Sequence, residues 1–136
     1  MTDIKIIYSG NLRTQATHIQ SGNSIITDAP TDNNGKGEAF SPTDLFVSSL
    51  GSCMLTIMGI SAQTHGFNIN GSTIDINKIM GKSPRRISEI NITINIHGIL
   101  SKKDKEILQK AARHCPVSKS INSNINETVT FNFLNK

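Results

Sequence analysis

The sequence predicts an α+β fold in which antiparallel strands surround one long buried helix. Short strand-like segments separated by turns fill the first third of the chain, and a long apolar helical segment follows them. A hairpin, an amphipathic helix and a last strand complete the order. The 136 residues suit one domain, spanning residues 1–136, with a single core.

The first third has the pattern of a β-meander. Strands are predicted at Ile4–Tyr8, Leu12–Ile19 and Ser24–Thr27, separated by turns that contain Gly. Residues 28–39 then form a polar stretch rich in Gly and Asn, which is too long for a hairpin turn. A loop of this kind is often functional.

The central helix has a strong start signal. Ser41 is suited to the N-cap, Pro42 to the first turn, and Asp44 to reach back toward the free amides. Gly66 is the predicted stop, and the residues between are apolar nearly all round, so the helix should be buried. Because one chain has few other elements to cover such a helix, an intertwined homodimer is expected.

The second half predicts two more strands, a helix, a short helical piece and a final strand. Isoleucines alternate with polar residues in the second of the strands, as in a half-buried strand. A Ser cap starts the amphipathic helix and a Pro ends it. In order, these elements are Ser72–Met80, Ile87–His97, a helix from Ser101 to Pro116, Val117–Ile121 and a strand around Val129–Phe133.

The charge balance is basic, with 14 Lys and Arg against 10 Asp and Glu, for a net charge of +4. The cations gather at residues 82–86 and 102–113, the second group with acidic residues interspersed as on the solvent face of a helix. No aromatic residues are interleaved for base stacking, so no nucleic-acid partner is expected. Nor does any segment have the character of a secretory signal or a membrane span, so a cytoplasmic protein without a membrane partner is expected.

The two cysteines, Cys53 and Cys115, are the candidate chemical groups. In a reducing compartment they are inert buried thiols, metal ligands or a redox pair. The four histidines lack ligand spacing, so no metal and no other cofactor is expected. Cys53 on the apolar helix is also explained as a small core residue. Cys115 precedes Pro116 and is suited to an N-cap, where free amides and the helix dipole would favour its thiolate.

Three segments together resemble the OsmC/Ohr family. Residues 41–53, SPTDLFVSSLGSC, are similar to its first-cysteine helix, and residues 114–120, HCPVSKS, to its second-cysteine motif. Residues 8–30, YSGNLRTQATHIQSGNSIITDAP, resemble its N-terminal meander, in which an Arg on the second strand lies over the first cysteine. That residue here is Arg13, and the resemblance covers nearly the whole chain.

The resemblance implies the OsmC-like fold, an intertwined homodimer with two active sites, and a cysteine-based peroxidase active in oxidative-stress defence. Cys53 would attack an organic hydroperoxide, and Cys115 would resolve the resulting sulfenic acid as a disulfide. Arg13 would stabilise the Cys53 thiolate, because it can supply a cation without losing its charge. A dithiol reductant would then restore the two thiols.

One position departs from the family pattern. In the best-described hydroperoxide reductases of the family, a Glu near the start of the first-cysteine helix holds the Arg in place, and this sequence has Thr43 there. Glu38 and Asp44 are candidate substitutes, although Asp44 is equally explained by capping. If the partner is missing, Thr43→Glu should raise the peroxidase rate by about tenfold. Thr43 also keeps open an alternative, a redox sensor or apolar-ligand-binding protein on the same fold.

Overall fold

A computed structural model describes all 136 residues and has six strands, three α-helices and a short 3-10 turn. The chain forms two compact units, Met1–Phe46 and Val47–Lys136. The predicted α+β class is confirmed, while the prediction of one domain stays a prediction. The elements are β1 (Ile4–Gly10), β2 (Arg13–His18), β3 (Ser24–Asp28), α1 (Pro42–His65), β4 (Thr73–Gly81), β5 (Arg86–Ile96), α2 (Lys102–Ala112), α3 (Pro116–Lys119) and β6 (Asn126–Phe133).

The first unit is built on an antiparallel meander, β1-β2-β3, as predicted. Alternation along the strands places most of the apolar side chains on one face, where Ile6 lies opposite Ala16 and Ala16 opposite Ile25. Ile7 and Ile26 lie on the other face, on either side of Gln15. The first face is open to solvent, with Ile6 and Tyr8 each 64% exposed and Ile25 50% exposed. We call it the apolar face of the first sheet, and its apolar residues are Ile4, Ile6, Tyr8, Ala16 and Ile25.

The loop after β3 folds back on its own start. The amide of Gly35 donates to the carbonyl of Pro30 at 2.9 Å, and the amide of Gly37 donates to that of Ala29 at 3.3 Å. Only glycine fits at position 35, because a Cβ atom there would overlap the backbone of Ala29. The fold-back returns the chain to the end of β3, where Glu38 lies beside Asp28.

The second sheet has the order β4-β5-β6. β4 and β5 form the predicted antiparallel hairpin, but β6 pairs with β5 in parallel. The prediction of wholly antiparallel sheets is wrong for this pair. The physical reason is the connection: residues 97–125 contain α2 and α3, a crossover long enough to bring the chain back to the same end of the sheet before it pairs again.

The core of the second unit lies against one face of β5. Four isoleucines of that strand are at most 1% exposed, while the residues between them are polar, so the predicted half-buried strand is confirmed. The same core contains residues from one stripe of α1 and from the inner side of α2. Its most deeply buried members are Leu50, Met54, Met58, Ile90, Ile92, Ile94, Ile96 and Leu108.

Helix α1 begins and ends where the sequence predicts. Ser41 and Asp44 hydrogen-bond reciprocally at its start, and Gly66 follows its end with a φ of 77°. Burial all round is not reached in one copy of the chain, since Phe46 is 42% and Ile60 56% exposed. By length and composition, α1 is the one helix that could cross a membrane, but core helices share this character and α1 contributes a stripe of residues to the core.

Candidate active site

The two thiols come together in the second unit. Cys53 lies about three turns into α1 and is half-buried, whereas Cys115 is completely buried in the core. Both are free cysteines; Cys53 packs against the core that contains Cys115, close enough to affect the ionisation of the Cys115 thiol. Residues 62 positions apart in the sequence therefore form a single dithiol site.

Local sequence explains how Cys115 is held. α2 ends at Ala112, which is buried and anchors the end of the helix in the core. Pro116 begins α3 and restricts the residue before it to an extended conformation, which Cys115 adopts with φ −65° and ψ 126°. The predicted N-cap position is thereby confirmed.

The protonation of Cys115 differs from the expectation. Burial raises the pKa of the Cys115 thiol above its ordinary value, and the neighbouring Cys53 side chain raises it further. The backbone amides of Val117 and Ser118 act in the opposite direction, but neither makes a regular capping hydrogen bond with the sulfur. The prediction that the helix start favours a Cys115 thiolate is therefore wrong, because desolvation outweighs a helix of only four residues.

An arginine cluster occupies one end of the first sheet. Arg13 forms a bidentate ion pair with Asp28, in which Nε donates to Oδ1 at 2.9 Å and Nη2 donates to Oδ2 at 2.9 Å. The carboxylate of Glu38 lies 3.5 Å from the same Nη2 atom. The hydrogen bonds from Arg13 hold the pKa of Asp28 below its ordinary value against the opposing effect of burial, and the pair raises the pKa of Arg13.

Strand register creates this ion pair. Arg13 is the first residue of β2 and Asp28 the last residue of β3, and the antiparallel pairing sets them directly opposite each other. Sequence reasoning missed Asp28 because it was assigned to the loop. The signal was available, since Arg and Asp at matching ends of adjacent predicted strands form a cross-strand pair of opposite charge.

The two candidate substitutes for the missing Glu have different positions. Glu38 lies beside Arg13, but at a longer distance than Asp28. Asp44 accepts the Ser41 amide at 3.0 Å, which is the capping role foreseen for it. The hydroxyl of Thr43 pairs with that of Ser41 at 3.1 Å, so position 43 is part of the helix start.

The cluster borders a polar cavity, and an apolar cavity lies elsewhere in the first unit. The polar cavity has a volume of ≈ 160 Å³ and is lined by Ser9, Gly10, Asn11, Arg13, Asp28, Lys36 and Glu38. The apolar cavity has a volume of ≈ 220 Å³ and is lined by Tyr8, Leu12, Thr14, Thr27, Ala29, Pro30, Asn33 and Pro42. No three His, Cys, Asp or Glu side chains are grouped so as to hold a metal ion.

The structure thus brings together two of the three predicted site residues. Cys53 and Cys115 are in contact, whereas Arg13 belongs to the first unit and its partner there is Asp28. The role of Arg13 toward the Cys53 thiolate stays a prediction.

Comparison with known proteins relates the chain to one protein family. The family model described as OsmC-like protein matches residues 35–130. A crystal structure from Psychrobacter arcticus, provisionally named an osmotic stress induced and detoxification response protein, is 51% identical, with a TM-score of 0.92 and 96% of each chain covered. No curated protein matches the chain significantly in sequence.

More distant structures share the fold. An OsmC like protein from Mycoplasma pneumoniae is 20% identical with a TM-score of 0.81, and covers 98% of this chain and 96% of its own. An organic hydroperoxide resistance protein OsmC from Legionella pneumophila is 16% identical with a TM-score of 0.76, and covers 97% of this chain and 96% of its own. At these identities the likeness concerns the fold alone.

Proposed function

This chain belongs to the OsmC-like protein family, and we propose that it is a thiol-dependent peroxidase that reduces organic hydroperoxides to alcohols in oxidative-stress defence. The observation that carries the proposal is the close pairing of two free thiols, Cys53 and Cys115. The names of two similar structures, a detoxification response protein and an organic hydroperoxide resistance protein, agree with it.

In the first step the Cys53 thiolate attacks the terminal oxygen of the hydroperoxide. An S–O bond forms, the O–O bond breaks, and the alkoxide takes up a proton and leaves as the alcohol. The sulfur is oxidised to a sulfenic acid while the hydroperoxide is reduced by two electrons.

In the second step Cys115 resolves the sulfenic acid. Its sulfur attacks that of Cys53, an S–S bond forms and the S–O bond breaks. The hydroxyl group leaves as water with the proton that Cys115 carried. A dithiol reductant, exchanging through a mixed disulfide, then supplies two electrons and returns both thiols.

The raised pKa of Cys115 supports this division of roles. A thiol is a poor nucleophile until it ionises, so the buried, protonated Cys115 does not compete with Cys53 for the peroxide. The half-buried Cys53 is the more accessible of the two sulfurs. Cys53 is thus the attacking residue and Cys115 the resolving residue.

Arg13 is proposed to stabilise the Cys53 thiolate, as the family resemblance implies. A guanidinium keeps its charge at every pH at which the enzyme works, and its donors favour the ionised form of a thiol. The side chain is 37% exposed, so it can accept another anionic partner in addition to Asp28.

The working protein is proposed to be a homodimer in the cytoplasm. A single copy leaves the apolar face of the first sheet and two large residues of α1, Phe46 and Ile60, exposed. Exposed apolar surface of this extent is characteristic of an interface. A cycle that depends on free thiols and a dithiol reductant fits a reducing compartment.

Stopped-flow oxidation of the reduced protein tests the function. We expect fast, stoichiometric oxidation by cumene hydroperoxide, slower oxidation by hydrogen peroxide, and no reaction in Cys53→Ser. Dithiothreitol should sustain turnover and release cumyl alcohol. A disulfide that forms without turnover would instead indicate the alternative, a redox sensor, and an unreactive Cys53 would exclude both.

A further inference from the structure

Asp28 is a buried carboxylate whose two oxygens are both engaged. Its side chain is 3% exposed, and it accepts two hydrogen bonds from Arg13 and a third from the Glu38 amide at 3.1 Å. A carboxylate buried this deeply costs free energy unless its acceptor sites are satisfied, and here three donors satisfy them. The carboxylate therefore has a fixed position, and it fixes the guanidinium that it binds.

The bidentate ion pair with Asp28 leaves one edge of the Arg13 guanidinium for another partner. The pair engages Nε and Nη2, which form the opposite edge of the planar group. The Nη1 amino group keeps its two N–H donors for another acceptor. A guanidinium held along one edge presents the remaining donors in a constant direction, which is what recognition of an anion requires.

Neither of the other candidate partners provides an equivalent anchor. Glu38 is 60% exposed, and its carboxylate makes only a single contact with Arg13 at 3.5 Å, where an ion pair in water contributes little. Asp44 caps helix α1, where its carboxylate accepts the Ser41 amide at 3.0 Å. Asp28 is thus the carboxylate with the geometry to orient Arg13.

We propose that Asp28 is the positioning residue for Arg13 at the Cys53 thiolate, in place of the helix carboxylate that Thr43 replaces. This inference rests on the proposed function. It gives the first sheet a chemical role, because the residue that orients the cation comes from the strand next to it and not from the cysteine helix.

The amide hydrogen bond from Glu38 extends the proposal to the loop. Because the chain folds back through Gly35 and Gly37, the loop amide reaches Asp28 and adds a third donor. The contribution of Glu38 is then made by its backbone, and its side chain should matter less than that of Asp28.

The test measures Cys53 reactivity without requiring peroxidase turnover. The reduced protein is alkylated with iodoacetamide at neutral pH, and the rate at Cys53 is followed by peptide mapping. Asp28→Asn should slow this alkylation by about tenfold, as expected when a positioning contact is lost, and Arg13→Ala should slow it to a similar degree. Glu38→Gln should cause a smaller loss, and Thr43→Val should leave the rate unchanged.

A double variant separates positioning from a merely structural role. If Asp28 acts through Arg13, Asp28→Asn added to Arg13→Ala should slow alkylation no further. If Asp28→Asn slows alkylation by the same factor in the parent protein and in Arg13→Ala, then Asp28 acts through the fold, and the proposal is overturned. An alkylation rate unaffected by Asp28→Asn would overturn it as well. If Asp28→Asn does not fold, Asp28→Glu, which displaces the carboxylate by one methylene, is compared with Arg13→Ala in the same way.

Failure of the positioning role of Asp28 can be distinguished from failure of the proposed peroxidase function. Peroxidase turnover by the parent protein decides whether the chain is an enzyme, whereas the alkylation rates decide whether Asp28 positions Arg13. A parent protein without turnover, in which Asp28→Asn and Arg13→Ala slow alkylation alike and non-additively, would refute the activity and support the positioning role.

Discussion

The buried thiol of Cys115 lies beside the half-buried thiol of Cys53. One sulfur is carried by the long helix α1 and the other by the residue that precedes α3, so two separate elements present the pair. The contact lies within one copy of the chain.

Mild oxidation should therefore link Cys53 to Cys115 within a single chain. We expect one equivalent of cumene hydroperoxide to give this disulfide as the main product, as peptide mapping without reduction would show. In Cys115→Ser the first oxidation should proceed, but Cys53 should advance to sulfinic acid, because no neighbouring thiol intercepts the sulfenic acid. Disulfides only between chains, or sulfinic acid in the parent protein, would contradict the resolving role.

The raised pKa of Cys115 predicts a loss of stability at alkaline pH. The folded protein keeps a proton that the unfolded chain releases above the ordinary thiol pKa of 9.0, so this contribution is complete below that pH and decreases as the pH rises. The slope for one such proton is at most about 1.4 kcal/mol per pH unit. Urea unfolding under reducing conditions from pH 8 to 10 should show a steeper decline in the parent than in Cys115→Ala.

The apolar face of the first sheet should be covered in a dimer. Sedimentation at micromolar concentration should give a dimer for the parent, and Ile6→Lys should weaken it, because the introduced charge would be buried on an apolar interface. Ser24→Lys, an exposed position on the opposite face of the same sheet with Thr17 as its cross-strand neighbour, is the matched control and should remain dimeric. A monomeric parent protein would contradict both the dimer and its proposed interface.

Thr43→Glu should not accelerate the reaction. The sequence alone predicted a gain of about tenfold, on the premise that Arg13 lacks a carboxylate partner. Arg13 has that partner in Asp28, so a Glu at position 43 would add negative charge without completing a pair. Stopped-flow rates with cumene hydroperoxide should be equal to or below those of the parent. A tenfold gain would restore the original premise and weaken the case for Asp28.

Local signals determined much of the fold from the sequence. The reciprocal contact of Ser41 and Asp44, the stop at Gly66 and the extended Cys115 before Pro116 all follow from interactions within a few residues. The half-buried β5 likewise follows from strict alternation. Such features depend on neighbours in the chain, and for that reason the sequence shows them directly.

Tertiary structure decided the features that depend on distant residues. The parallel pairing of β6 with β5 follows from where a long crossover returns, and the partnership of Arg13 with Asp28 follows from strand register. The protonated state of Cys115 follows from burial by a core that the whole second unit supplies. The sequence identifies the chemical groups, but their partners and protonation depend on burial and register, because a charge or a thiol responds to whatever the folded chain places within a few ångströms of it.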